Sequence, residues 1–202
     1  MRRRALPTIP GRRSAKETST MTDFVAIIGS LRAASVNRVG FSAAQGLLPD
    51  GVTLTEAPLN DVPLFNGDVE DAGDPAAVAG LKHALGAADG LLIFTPEYNF
   101  GVPAVTKNAI DWLSRPFGSG VIAEKPVGVV AMSPGRRAGA GVRNHLSDSL
   151  RVLTPHFFET TLGIGRVFDH LDDGALCGEP VAELEAWLRL FVDHAAAPAP
   201  KA

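Results

Sequence analysis

The chain has 202 residues, 46% of them hydrophobic and 20% charged, with a net charge of −3. That suits one globular domain with a sizeable core and excludes wholesale disorder; no apolar run approaches the ~20 residues that span a bilayer. Residues 1–20 carry six Lys/Arg against one acid, so the remaining body sits at −8, which argues against a nucleic-acid partner.

The basic stretch 1–20 lacks an apolar signal core and reads as a disordered leader. The domain is expected over 21–196, opening at "MTDFVAIIGS", with a disordered tail over 197–202. "DFVAIIG" (23–29) is short and apolar on both faces, as a buried parallel strand requires. Val36–Leu48 follows as a helix, with Val36, Val39, Ala43 and Leu47 on one side, and "VTLTEA" (52–57) as a second strand. The Pro/Asp/Gly-rich run 58–75 predicts irregular chain. It is too long for a mere connector. Pro75–Ala87 reads as a helix with Asp74 as N-cap, and "GLLIF" (90–94) as the third strand. Pro103–Ser114 is predicted helical, and "KPVGVVAMS" (125–133) is the fourth strand. Ala138–Leu153 follows as an amphipathic helix, 155–164 contains a fifth strand, and Glu179–His194 is the last helix.

Strand and helix thus alternate five times, which predicts a parallel sheet covered on both faces, in the order 2-1-3-4-5. In such sheets ligands sit beyond the strand C-termini where the order reverses, here between strands 1 and 3. Three polar loops fall at strand C-termini: "GSLRAASVNR" (29–38), "TPEYNFG" (95–101) and "SPGRRAGAG" (133–141). The first brings Ser30, Arg32, Ser35 and Asn37 to a helix start, a natural anion site. Equally, Ser35 can merely cap the helix while Arg32 and Arg38 stay solvated. The second loop carries the chain's one tyrosine, Tyr98, beside Pro96, Glu97 and Asn99. The third adds Ser133 and, in or just after it, Arg136, Arg137 and Arg143. Lys107 and Asp111, four apart, suggest a surface ion pair. GxxxxGK[ST], GxGxxG and GxSxG are all absent, so P-loop, Rossmann and nucleophile-elbow chemistry find no support. The lone Cys177 permits no internal disulfide and no Cys cluster for zinc or iron–sulfur; no metal is expected, and a reducing, cytoplasmic compartment is favoured.

The loops together resemble those of the NADPH-dependent FMN reductase family, which includes quinone, azo and chromate reductases. The matched residues are Gly29, Ser30, Arg32, Ser35 and Asn37 after the first strand, "VPLFN" after the second, "PEYN" (96–99) after the third with its "KNAIDW" helix, and "SPG" after the fourth. The resemblance covers about 23–194. It implies a flavodoxin-like three-layer sandwich and an oxidoreductase that passes hydride from NADPH (or NADH) to bound FMN. A quinone, azo, nitro, metal-oxyanion or free-flavin acceptor then takes the electrons. It implies that Ser30, Arg32, Ser35, Val36 and Asn37 hold the FMN phosphate. Pro96, Glu97, Tyr98 and Asn99 would line the isoalloxazine ring, and Ser133 would approach the ring or ribityl chain. The chemistry is then centred on the flavin, with no catalytic side chain named. A homodimer or homotetramer is implied as well. Gly101 stands where the family often has Ser, and Thr106 where Leu usually precedes Lys–Asn. The competing readings are a flavodoxin-type electron carrier, against which the missing "TxTGxT"-like loop speaks, and a protein for another phosphorylated ligand.

Overall fold

A computed structural model describes residues 21–199. The leader 1–20 and the last residues of the tail lie outside them. The strands β1 (Thr22–Ile28), β2 (Val52–Glu56), β3 (Gly90–Thr95), β4 (Val127–Met132) and β5 (Leu162–Ile164) form one parallel sheet in the order β2-β1-β3-β4-β5. The expected order is therefore the observed one. The helices are α1 (Val36–Leu47), α2 (Gly67–Asp71), α3 (Ala76–Ala87), α4 (Ala104–Leu113), α5 (Ala140–Leu153) and α6 (Glu179–Ala196). Among the described residues no helix is long and apolar enough to cross a membrane.

Every residue of β3 and β4 is buried, because their side chains alternate between two covered faces. On one face Val25, Ile27, Leu91, Ile93 and Val129 meet the apolar sides of α3, α4 and α5. On the other, Phe24, Ala26, Ile28, Leu92, Phe94 and Val130 meet α1 and α6, with Trp187 and Phe191 stacked on α6. Each buried aliphatic or aromatic side chain contributes about 1.5–3 kcal/mol. The two-sided core holds the strand ends, and hence the loops at their tips, in register.

Two local expectations are corrected, and one element is new. Asp74 does not cap α3: Pro75 takes the N-cap position without a side-chain bond, and Asp74 instead pairs with Lys82 at 2.8 Å. The run 58–75 is not wholly irregular, since α2 starts at its Asn66 cap, whose side chain accepts from Asp68 N–H. A small antiparallel hairpin, β6 (Leu171–Asp172) with β7 (Ala175–Leu176), lies between β5 and α6. The Lys107–Asp111 ion pair does form on the surface of α4.

Candidate functional site

The first loop is shaped by short-range bonds. Gly29 N–H donates to Phe94 carbonyl at 2.7 Å, so β1 stays zipped to β3 up to its last residue. A side chain at Gly29 is impossible without a shift: an added Cβ would lie 2.2 Å from Thr106 Oγ1 and 2.7 Å from Thr95 Oγ1. Both threonines are fully buried, with their hydroxyls 3.3 Å apart. Thr106, the departure from the family pattern, therefore fills the floor beneath the loop. Gly29→Ala should cost about 1–3 kcal/mol by overpacking. Chemical unfolding should show part of that loss recovered in Gly29→Ala/Thr106→Ala, which deletes the nearer of the two clashing hydroxyls and leaves that of Thr95.

Beyond Gly29, Ser30 is buried and its Oγ accepts from Arg32 N–H at 3.4 Å, while Ser35 N–H closes the turn on Arg32 carbonyl at 3.1 Å. Ser35 is the N-cap of α1, its Oγ accepting from Asn37 N–H at 3.3 Å. Capping and ligand binding are compatible, because the first turn of a helix still presents N–H groups that have no intrahelical partner. Val36, half-buried, opens that turn. Asn37 is completely buried. Its Nδ2 donates to Met132 carbonyl at 3.1 Å and its Oδ1 accepts from Met132 N–H at 3.1 Å. The amide thus staples α1 to the end of β4, and its whole inward bonding capacity is spent on backbone. Arg38 is likewise engaged, in a two-pronged bond to Glu56 at 2.5 and 2.8 Å; that bond raises its pKa above the ordinary guanidinium value. Arg32 is different: it is exposed and its guanidinium has no partner among the described residues.

The second loop forms an aromatic wall. Pro96 and Glu97 are half-buried. Glu97 Oε2 accepts from Val142 N–H at 2.9 Å in the first turn of α5, where a carboxylate complements the helix dipole. Tyr98 and Gly101 exchange both backbone hydrogen bonds, 3.2 and 2.9 Å, around Asn99 and Phe100. Both central residues have positive φ, 50° and 62°, the signature of a type I′ turn. Asn tolerates that region, whereas Phe sits there at a conformational cost. The turn pushes Tyr98 (52% exposed) and Phe100 (67%) into solvent. Tyr98 Oη lies 3.3 Å from Ser30 Oγ, which joins the first and second loops into one rim. Tyr98 is thus a surface ring tethered by its hydroxyl, not a core residue.

The segment after β2 is held by α4. Asn108 Nδ2 and Trp112 Nε1 both donate to Pro63 carbonyl at 2.8 Å, and Asn108 Oδ1 accepts from Phe65 N–H at 2.7 Å. This accounts for the "KNAIDW" helix: its Asn and Trp clamp the "PLF" segment. The lining residues expected from the sequence did not include them.

In the third loop Ser133 is buried, its Oγ within 3.4 Å of Gly135 carbonyl and its backbone bonded to Ile164 carbonyl and Val167 N–H. Gly141 permits a close crossing, since a Cβ there would stand 2.5 Å from Phe100 carbonyl and 2.7 Å from Glu97 Oε2. Arg137 lies 5.6 Å from the Phe100 ring centre, so the third loop also touches the second. Arg143 turns inward instead, donating to Ala138 carbonyl (3.1 Å) and Thr161 Oγ1 (3.2 Å); burial lowers its pKa, with nearby Glu97 opposing the shift. Of the arginines in or just after the three loops, Arg32, Arg136 and Arg137 stay open. An apolar groove of about 800 Å³ starts at the same loop as Arg32, at Ala33–Val36, and runs along α1 against the β6–β7 hairpin.

Together these loops offer buried hydroxyls, a helix start and a guanidinium at one point, with an aromatic wall beside it. That donor set is the one a phosphate monoester takes, and the exposed Tyr98 ring stands next to it. Among the described residues no group of His, Cys, Asp or Glu is placed to hold a metal ion.

Comparison with known proteins agrees with the geometry. The NADPH-dependent FMN reductase family pattern matches residues 22–169. An NAD(P)H-dependent FMN reductase of Pseudomonas aeruginosa is 41% identical over 130 residues, covering 64% of this chain and 70% of the relative. A quinone reductase of Pseudomonas putida is 34% identical over 168 residues, covering 83% and 89%. Among solved structures, a flavoenzyme NAD(P)H:acceptor oxidoreductase from Paracoccus denitrificans superposes with a TM-score of 0.77 at 29% identity, over 86% of this chain and 97% of its own.

Proposed function

The chain belongs to the NADPH-dependent FMN reductase family, and from that premise we propose that it is an NAD(P)H oxidoreductase that holds FMN on this rim and reduces quinones and similar flat acceptors. The observation that carries the reading is the Ser30–Tyr98 contact, which sets an anion-ready helix start directly beside an exposed aromatic wall. FMN, when bound, supplies the hydride- and electron-accepting centre that side chains lack.

The residues of this chain do the positioning. Ser30, Ser35, Arg32 and the first turn of α1, opened by Val36, bind the phosphate. Asn37 contributes indirectly, by locking that turn to β4. Pro96 and Asn99, with the Tyr98 ring, form the wall along one edge of the ring system. Glu97, tied to α5, fixes the wall's position rather than acting as a base. Ser133, anchored through its backbone, closes the rim from the β4 side. The weakly polar wall selects acceptors by flatness more than by hydrogen bonding, so quinones, azo compounds and nitroaromatics all suit it.

The deciding experiment is an anaerobic visible spectrum of the purified full chain, before and after NADPH, followed by a panel of acceptors. A yellow protein that bleaches with NADPH and recovers its colour with a quinone is the expected result. A colourless protein that takes up no added FMN overturns the reading. A yellow protein inert to NADPH and NADH would make it an electron carrier instead.

A further inference from the structure

Next to the third loop lies a polar cup of about 390 Å³, lined by Arg136, Arg166 and His170 on one side and by Glu179 and Glu183 on another. It is built by backbone. Arg166 N–H donates to Gly135 carbonyl at 3.2 Å and Val167 N–H to Ser133 carbonyl at 3.2 Å, so the chain after β5 is braided to the loop that closes the rim. Gly165 permits that contact, because a Cβ there would stand 2.9 Å from Gly135 carbonyl, and Gly163 likewise lets the end of β5 approach Ala138 carbonyl. Cup and rim therefore share the segment Ser133–Arg137.

The two arginines are poorly partnered. Arg136 is exposed, with no hydrogen bond or ion pair among the described residues. Arg166 has only Asp169 at 3.9 Å, and both side chains are largely exposed. Its backbone is left-handed, φ 46° and ψ 38°, a conformation that disfavours a long side chain and clusters at functional sites. Glu179 and Glu183 stand one turn apart at the start of α6. A cup with both signs offers nothing to an apolar quinone. It suits a ligand that carries a phosphate together with hydroxyl and amine donors. NADPH has such an end: a ribose 2′-phosphate beside the ribose hydroxyl and the adenine amine.

We propose that this cup binds the 2′-phosphoadenosine end of NADPH, with the phosphate on Arg136 and Arg166 and the donors toward Glu179 and Glu183. The inference rests on the NAD(P)H oxidoreductase reading above and names the residues that separate NADPH from NADH.

The test uses the full chain loaded with FMN. Calorimetric titration with 2′,5′-ADP and with 5′-AMP should show tighter binding of the former by roughly tenfold, the scale of one bond to a charged group. Arg166→Ala and Arg136→Ala should each remove most of that difference. In both variants KM should rise for NADPH about tenfold more than for NADH. Two variants are used because Arg136 has no folding role that its contacts reveal. Equal affinity for the two nucleotides, or equal losses with both donors, overturns the cup while leaving an oxidoreductase that turns over with NADH. Failure of both NADPH and NADH to reduce the wild-type flavin overturns the cup and the parent reading together.

Discussion

Asn37→Ala should lower stability by about 2–4 kcal/mol, the sum of leaving one buried N–H and one buried C=O of Met132 without partners. Against a total of about 5–15 kcal/mol for a domain, that is a large fraction. Both Met132 groups are bonded by this one side chain at 3.1 Å, in a fully buried position where water cannot replace it. Urea unfolding should show a lower midpoint with an unchanged slope. Asn37→Asp is the sharper variant. It keeps an acceptor for Met132 N–H but turns a carboxylate oxygen toward Met132 carbonyl, so it should be at least as damaging. A loss below 1 kcal/mol in Asn37→Ala would show that α1 and β4 are held together by other contacts. The consequence for the site is specific. The staple joins the start of α1 to the strand that leads into Ser133, so loosening it disturbs both the phosphate end and the opposite side of the rim. Binding of FMN and of riboflavin should weaken together.

The architecture was legible because its signals are local and redundant. β3 and β4 are apolar at every position, which a strand covered on both faces requires, and five alternations leave few parallel topologies. The loops that form the rim were legible for the same reason: each follows a strand that can be read. What escaped notice depends on partners far apart in sequence. Glu97 reaches Val142, and Asn108 and Trp112 reach Pro63, across 45 to 49 residues. Nothing in either local segment announces such a bond. Two roles compete for the Asp74 carboxylate, and Lys82, nearly two turns into α3, draws it off the cap. The β6–β7 hairpin is another case. Its turn is Asp173–Gly174, with φ of 47° and 78°, and an Asp-Gly pair between short apolar stretches is a strong hairpin signal. Its flanking strands are only two residues long, too short to show an alternation of their own, so the signal rests on the turn alone. Arg143 shows the limit from the other side: a sequence places an arginine near a rim, but whether it faces outward depends on which carbonyls lie within its reach.

Arg32→Ala should weaken FMN binding by about 1.5–3 kcal/mol, roughly ten- to a hundredfold in Kd. The structure narrows the choice to this residue. Arg38, six positions on, is committed to Glu56, whereas Arg32 extends from a turn fixed by Ser30 and Ser35 and has no partner of its own. An exposed guanidinium is screened by salt, so the loss should be largest at low ionic strength and shrink as salt rises. Arg32→Lys should restore part of the binding, since an ammonium keeps the charge but not the paired donors. Riboflavin is the control that separates charge from shape. It presents the same ring without the phosphate, so it should bind wild type weakly and respond little to Arg32→Ala, in contrast to its response to Asn37→Ala. Flavin fluorescence titrations of both ligands against both variants give four numbers, and only one pattern fits: Asn37 affects both ligands, Arg32 only FMN. If riboflavin lost as much as FMN on removal of Arg32, the residue would be shaping the loop, and the phosphate would have to be held elsewhere on the rim.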